Sequence, residues 1–111
     1  MSREDSEKQP IDEGVLAQLD PLLEHKYRLS ACVMLVDTES ISFSRFKELF
    51  NATNGNLGAQ LRKLEDAQYL KVRKEFVGRQ PTTWYSLTEK GRNALRRHLT
   101  VMQSLIDTAS D

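Results

Sequence analysis

Residues 53–67 read TNGNLGAQLRKLEDA, and this stretch decides the fold. Leu57, Leu61 and Leu64 recur at helical spacing, so they predict one buried face of an α-helix. Thr53 is predicted to cap this helix, because its hydroxyl can accept a hydrogen bond from an N–H group of the first turn. The opposite face carries amides, small residues and a cation: Asn54, Asn56, Ala59, Gln60 and Lys63.

This mixture of side chains suits insertion into the major groove of DNA. Amides can pair with adenine edges, small residues let the backbone approach closely, and a cation can meet a phosphate. On this stretch alone, an ordinary amphipathic helix with a solvated polar face is the simpler interpretation. The residues on either side of this stretch decide between a DNA-recognition helix and an ordinary amphipathic helix.

The residues that follow predict a β-hairpin. Leu70, Val72 and Phe76 alternate with charged residues, as in a half-buried strand. Residues 77–81, VGRQP, predict a turn, and residues 82–87, TTWYSL, predict a second strand rich in β-branched and aromatic side chains. A hairpin with a basic tip directly after a recognition-type helix is a wing.

The residues that precede it predict a second short helix over 43–50. Ser42 is expected to cap this helix, and residues 41–43 to form a very short strand. The connection 51–53 is tight, and two short helices joined in this way form a helix-turn-helix, here about 43–67. Three side chains of the first helix are expected to face inward: Phe46, Leu49 and Phe50.

The N-terminal third predicts a polar, loosely held tail over 1–10 and a short helical pattern over 11–19. Asp20 and Pro21 then suit an N-cap and a first helical position. The segment from about 22 to 36 becomes apolar on several sides, so it predicts one central helix buried on several sides.

The C-terminal stretch predicts a last helix capped by Thr88. Its apolar residues form two rows, which is more than a small core needs to bury, and isologous dimerisation is the economical explanation. The segments expected at the dimer interface are about 11–36 and 88–108. The interface residues expected on them are Leu16, Leu19, Leu95, Leu99, Met102 and Ile106.

Composition limits the remaining possibilities. The 111 residues predict one domain, here 11–111, with one modest core. No apolar run approaches the roughly 20 residues of a membrane-spanning helix, and no signal peptide is visible. The one cysteine, Cys32, excludes an intramolecular disulfide and favours a reducing, cytoplasmic location.

The net charge is zero, but the charges are divided unevenly along the chain. Residues 1–40 carry 4 Lys and Arg against 9 Asp and Glu, a net charge of −5. Residues 51–98 carry 10 against 4, a net charge of +6. Because attraction to phosphate acts over a Debye length of about 10 Å, the basic half favours a nucleic-acid partner.

Catalytic and metal chemistry find no support in the sequence. A metal site would need three or four ligands at suitable spacing, and Cys32, His25 and His98 do not provide it. We expect Cys32 to be a buried structural cysteine and expect no cofactor; a thiol redox switch would require exposure and a lowered pKa. No phosphate loop, nucleophile elbow or telling carboxylate pair occurs, so we expect no enzyme.

The predicted order is helix, helix, helix-turn-helix, strand, wing, strand, helix. This order resembles the winged helix-turn-helix transcriptional regulators of bacteria and archaea, the group that includes the MarR and ArsR types. In particular, the chain resembles the short stand-alone family called winged helix DNA-binding domain proteins, over about residues 19–100. The motifs that carry the resemblance are LDP (19–21), RL (28–29), GNL (55–57), LRKLE (61–65), FVGR (76–79) and LTEKGR (87–92).

The resemblance implies an α+β, mostly helical fold with a two- or three-stranded antiparallel wing and a C-terminal dimerisation helix. It also implies a homodimer that binds double-stranded DNA. Arg79 matches the wing tip, which reaches toward the minor groove or the phosphates, and Arg62 flanks the groove-facing stripe. The residues that match this stripe are Asn54, Gly55, Asn56, Ala59, Gln60 and Lys63.

Two other functions and one residue remain open. A winged helix can serve as a protein–protein adaptor that does not bind DNA, since the fold alone does not determine function. A regulator without a separate effector domain would bind a small molecule between the helices around 15–35 and 95–106. Trp84 stands where related sequences have a smaller residue. Alternation turns it away from Tyr85 and Leu87, toward either the partner subunit or the wing.

Overall fold

The computed structural model describes residues 13–110, and the tail expected over 1–10 lies outside them, as does Ile11. The described elements, in chain order, are helix α1 (Glu13–Leu16), a 3₁₀ turn (Pro21–Leu23), α2 (Lys26–Met34), β1 (Ile41–Ser42), α3 (Phe43–Phe50), α4 (Asn54–Asp66), β2 (Leu70–Val77), β3 (Gln80–Leu87) and α5 (Glu89–Ser110). The α+β, mostly helical winged-helix fold predicted from the sequence is confirmed.

The three strands form one antiparallel sheet in the order β1-β3-β2. Tyr85 at the centre of β3 pairs with Ile41 on one side and with Val72 on the other. The hairpin between β2 and β3 turns at Gly78, whose φ of 66° lies in the left-handed region that glycine adopts at little cost. Gly at the first central position of a two-residue turn is typical of hairpin connections that follow strand twist.

The core forms where the helices meet one face of this sheet. Leu57, Leu61 and Leu64 are fully buried, as their spacing predicted. The buried ring of Phe46 on α3 lies near both Phe50 and Tyr85, with centroid separations of 5.6 and 6.1 Å. Burial of each such side chain contributes about 2 kcal/mol to stability, so α4 is held firmly by its leucine face.

The predicted central helix over 22–36 is wrong in one respect, because the chain leaves helical geometry before Lys26. Asp20 caps only the 3₁₀ turn, accepting a hydrogen bond from the Leu22 N–H at 3.0 Å. His25 is extended, with φ −136° and ψ 134°, and its Nδ1 accepts from the Tyr27 N–H at 3.1 Å. The imidazole therefore serves as the N-cap of a second, separate helix.

Three apolar side chains lie elsewhere than predicted. Phe76 is 73% exposed, because the hairpin extends past the helices that cover its base. Leu49 is 43% exposed on α3, although it was expected to face inward. Leu95 is 2% exposed within its own protomer, so it belongs to the core and is not available to a partner subunit.

Helix α5 begins in direct contact with the backbone before the wing. The Thr88 hydroxyl accepts from the Gly91 N–H at 2.9 Å, which confirms Thr88 as the cap. The Tyr69 carbonyl accepts from the Thr88 N–H at 3.0 Å, and the Thr88 hydroxyl donates to the neighbouring Gln68 carbonyl at 2.7 Å. Gly91 is buried against the Tyr69 carbonyl, since only a residue without a side chain leaves room for it.

Candidate nucleic-acid interface

The turn between α3 and α4 orients the candidate recognition helix. Asn51 ends α3 in the left-handed conformation, with φ 51° and ψ 48°, which asparagine tolerates better than most residues. Two residues later, the Thr53 hydroxyl accepts from the Asn56 N–H at 3.2 Å, as predicted. The helix-turn-helix therefore has a defined stop and a defined start, and the outward face of α4 points in a fixed direction.

That outward face carries most of the residues expected to face DNA. Gly55 and Ala59 lie one helical turn apart opposite the buried leucines, and both are exposed. Their small size leaves the backbone of α4 open to a close approach by another molecule. The other exposed residues from the predicted set on this helix are Asn54, Asn56, Arg62 and Lys63.

Gln60 is half-buried, and its amide is part of a hydrogen-bonded chain. Arg28 on α2 donates from Nη1 to Gln60 Oε1, and Gln60 Nε2 donates to Asn56 Oδ1 at 3.2 Å. Arg28 is held in place by a second bond, from its Nε to the Leu22 carbonyl at 2.6 Å. That carbonyl is available because the chain breaks helical geometry before α2. We call Arg28, Gln60 and Asn56 the amide relay.

Arg28 was not predicted as a site residue, and it is not the only cation beside α4. The pKa of His25 is lowered, first by partial burial and then by the positive charges of Arg28, Lys26 and Lys63. Lys63 lies on α4, whereas Lys26 and Arg28 lie on the first turn of α2, and all three are near enough to His25 to act on its imidazole. The basic surface of α4 therefore extends onto the first turn of α2, for which the sequence predicted no contact with DNA.

The wing adds a second exposed surface. Arg79 is exposed at the hairpin tip, next to Gly78, where the resemblance placed it. Arg62 follows Ala59 by three residues and lies at the edge of the outward face of α4. It lines the cleft between α4 and the hairpin, facing Lys74 but also the acidic Glu65 and Asp66. The mixed charge of that cleft makes Arg62 a weaker candidate for phosphate contact than Lys63.

Trp84 lies on the face of the sheet opposite the core, as strand alternation predicted. The Arg73 guanidinium lies 5.8 Å from the centroid of the indole ring and forms an ion pair with Glu75. Arg73 is therefore occupied by contacts within the wing. A groove of about 480 Å³ borders the indole on its other side, next to Met34 and Leu49.

The residues expected at a dimer interface divide into three groups. Three of them are well exposed: Leu16 (46%), Leu99 (39%) and Ile106 (53%). Leu19 and Met102 are half-buried. Leu95 is buried in the core of its own protomer. A groove of about 370 Å³ follows α5 beside Val36, which lies two residues beyond the end of α2. This groove lies next to the end of the 15–35 segment and along the 95–106 segment, between which a small-molecule effector was expected to bind.

His98 and Cys32 belong to a buried polar cluster. The Asp20 N–H donates to His98 Nδ1 at 2.9 Å, and the Tyr69 hydroxyl donates to the Asp20 carboxylate. Burial and then this hydrogen bond raise the pKa of Tyr69 to about 12. His25, in contrast, caps α2 elsewhere. Within residues 13–110, no group of three or more His, Cys, Asp and Glu side chains could hold a metal ion.

Cys32 is expected to react very slowly with thiol reagents while the protein is folded. The residue is fully buried, and burial followed by the charge of Asp20 raises its pKa to about 12. At pH 8 only about one thiol in ten thousand would then be ionised. Ellman's reagent should label native protein at least about a hundredfold more slowly than protein in urea. Rapid labelling of the native protein would instead make a thiol switch credible.

Comparison with known proteins places these features in a family. Residues 27–106 match the sequence profile described as "Winged helix DNA-binding domain". An uncharacterized protein of Methanocaldococcus jannaschii is 31% identical over 72 residues, which are 65% of this chain and 78% of that protein. No helix among the described residues is long and apolar enough to cross a membrane.

Two solved structures share the fold. A transcriptional regulator homologue from Pyrococcus horikoshii superposes with a TM-score of 0.70 at 24% identity, covering 96% of both chains. A MarR family transcriptional regulator from Streptomyces coelicolor, solved in complex with DNA, superposes with a TM-score of 0.61 at 17% identity, covering 95% of this chain and 71% of that one. The chain thus belongs to the winged helix DNA-binding domain family.

Proposed function

We propose that the protein is a homodimeric, sequence-specific DNA-binding transcriptional regulator of the cytoplasm. One observation carries this proposal: the outward face of α4 combines amides and small residues with a cluster of cations. Asn56 and Gln60 can bond base edges, Gly55 and Ala59 permit close approach, and Lys63 can meet phosphate. The S. coelicolor relative of the same fold was solved with DNA bound, which supports duplex DNA as the ligand.

We propose that α4 enters the major groove while the wing contacts the minor groove or the phosphates through Arg79. Asn54 and Gly55 lie at the helix start, where the partial positive charge of the helix N-terminus favours a nearby phosphate. Arg62 is assigned a lesser role, because acidic neighbours share its cleft.

The proposed dimer follows from apolar side chains that remain exposed on the protomer. Leu16, Leu99 and Ile106 gain by burial against a second copy, with Leu19 and Met102 completing the patch. A two-fold axis between two copies would present two recognition helices to successive major grooves about 34 Å apart, on a palindromic operator.

A titration of fluorescent duplex DNA at two salt concentrations tests this proposal. Binding should be tight at 50 mM salt and weaker by about a thousandfold at 200 mM if six or more phosphates are contacted. The Asn56→Ala variant should lose preference for a selected duplex while retaining binding to random duplex. No binding to any duplex at low salt would contradict the proposal.

The alternative of a protein–protein adaptor is favoured by one observation only. Phe76 and Val77 are 73% and 53% exposed at the wing, and an apolar tip can dock on another protein. The same tip can also wedge against base steps in a minor groove, so it does not exclude DNA. The adaptor function predicts that no duplex binds even at 50 mM salt.

A further inference from the structure

The amide relay restricts which base edges α4 can read, and this inference rests on the proposed DNA-binding function. A guanidinium has five donors and no acceptor. Arg28 can therefore bond Gln60 only through the glutamine oxygen, and that oxygen does accept from Nη1. The chemistry of Arg28 therefore determines that the Gln60 amide turns its oxygen toward Arg28 and its NH₂ group away from it.

The orientation is passed on to the next residue. With its oxygen toward Arg28, Gln60 directs its NH₂ group toward Asn56, where Nε2 lies 3.2 Å from Oδ1. Asn56 must then present its oxygen to Gln60 and keep both of its own N–H groups free. Both amide oxygens are engaged within the protein, and the bond from the charged Arg28 is the stronger of the two.

We propose that Arg28 is a specificity-determining positioning residue that makes α4 a donor-presenting surface selective for guanine over adenine. In the major groove guanine offers two acceptors, N7 and O6, whereas adenine offers one acceptor and one donor. Bidentate pairing of an amide with adenine needs an amide oxygen directed at the adenine N6–H group, and the relay directs these two oxygens toward Arg28 and Gln60 instead. The free N–H groups of Asn56 and Gln60 match the guanine edge instead.

Selection of bound duplexes from a random library tests this inference at one salt concentration. The base position read by the relay is the one whose preference disappears in Asn56→Ala. At that position the native protein should prefer guanine over adenine by about tenfold. Adenine preferred by the native protein at that position would overturn the inference.

Two variants change the relay in different ways. Arg28→Met keeps an unbranched, flexible side chain but removes the guanidinium and so frees the Gln60 oxygen. Gln60→Glu still accepts from Arg28 but can no longer donate to Asn56, so it turns the Asn56 amide over and frees that oxygen. Both should shift the ratio of guanine to adenine toward adenine by about tenfold. An unchanged ratio in both variants would also overturn the inference.

A matched control separates base preference from overall affinity. Lys63→Gln removes a cation from the same helix but lies outside the relay, so it should weaken binding equally across sequences. Gln60→Glu still accepts the hydrogen bond from Arg28, so this variant is expected to fold like the native protein. It therefore tests the inference even if Arg28→Met folds poorly. If no duplex is enriched and none binds at low salt, the proposed function itself fails.

Discussion

Replacement of Gly91 by alanine is expected to lower the free energy of unfolding by about 3 kcal/mol. A Cβ atom at this position would lie 2.3 Å from the Tyr69 carbonyl oxygen and 2.9 Å from Leu87 Cδ1. The carbonyl cannot withdraw cheaply, because it accepts a hydrogen bond from the Thr88 N–H at 3.0 Å. Urea denaturation followed by circular dichroism should show a lower midpoint with an unchanged slope.

Gly55→Ala is the matched control for this prediction. Gly55 also lies in the first turns of a helix, but no atom comes within 4 Å of the position its Cβ would take. Alanine should leave stability unchanged or raise it by up to about 1 kcal/mol, because it favours helix more than glycine does. Equal midpoints for the two variants would contradict the contact assigned to Gly91.

Removal of Lys63 and Arg79 together is expected to weaken DNA binding by at least about a hundredfold at 100 mM salt. Each protomer of the double alanine variant loses one positive charge from α4 and one from the wing. The proposed dimer therefore loses four positive charges. The slope of log K against log salt should become shallower by about 3 to 4, since each phosphate contact contributes about 0.9. Fluorescence anisotropy over a range of salt concentrations measures both quantities.

A second double variant makes the same change of net charge elsewhere. Lys71 and Lys90 are exposed, one near the base of the wing and one at the start of α5. Alanine at both should leave the salt dependence close to that of the native protein. If both double variants lose affinity equally, binding depends on overall charge and not on α4 and the wing.

The elements that the sequence predicts well are those defined by local chemistry. Leu57, Leu61 and Leu64 at helical spacing, with Thr53 before them, are enough to place α4 to within a residue at each end. Gly78 likewise marks the hairpin, because one positive φ and alternation on both sides determine its turn. Such features need no knowledge of what the chain packs against.

The features that the sequence missed depend on contacts between distant residues. The break before α2 has no proline or glycine to announce it, and it shows only in the cap that His25 provides. Arg28 lies 32 residues from Gln60 in the chain, and no motif links them. Alternation could not show that the helices stop short of Phe76, so the strand pattern alone predicted it as buried.

Guanine methylation in a bound duplex tests most directly whether two copies of α4 occupy major grooves. Dimethyl sulfate attacks guanine N7, which faces the major groove, and adenine N3, which faces the minor groove. We predict two clusters of protected guanines centred about 10 base pairs apart, with protection lost in Asn56→Ala. Protection confined to adenine N3, or a single protected cluster, would contradict the account.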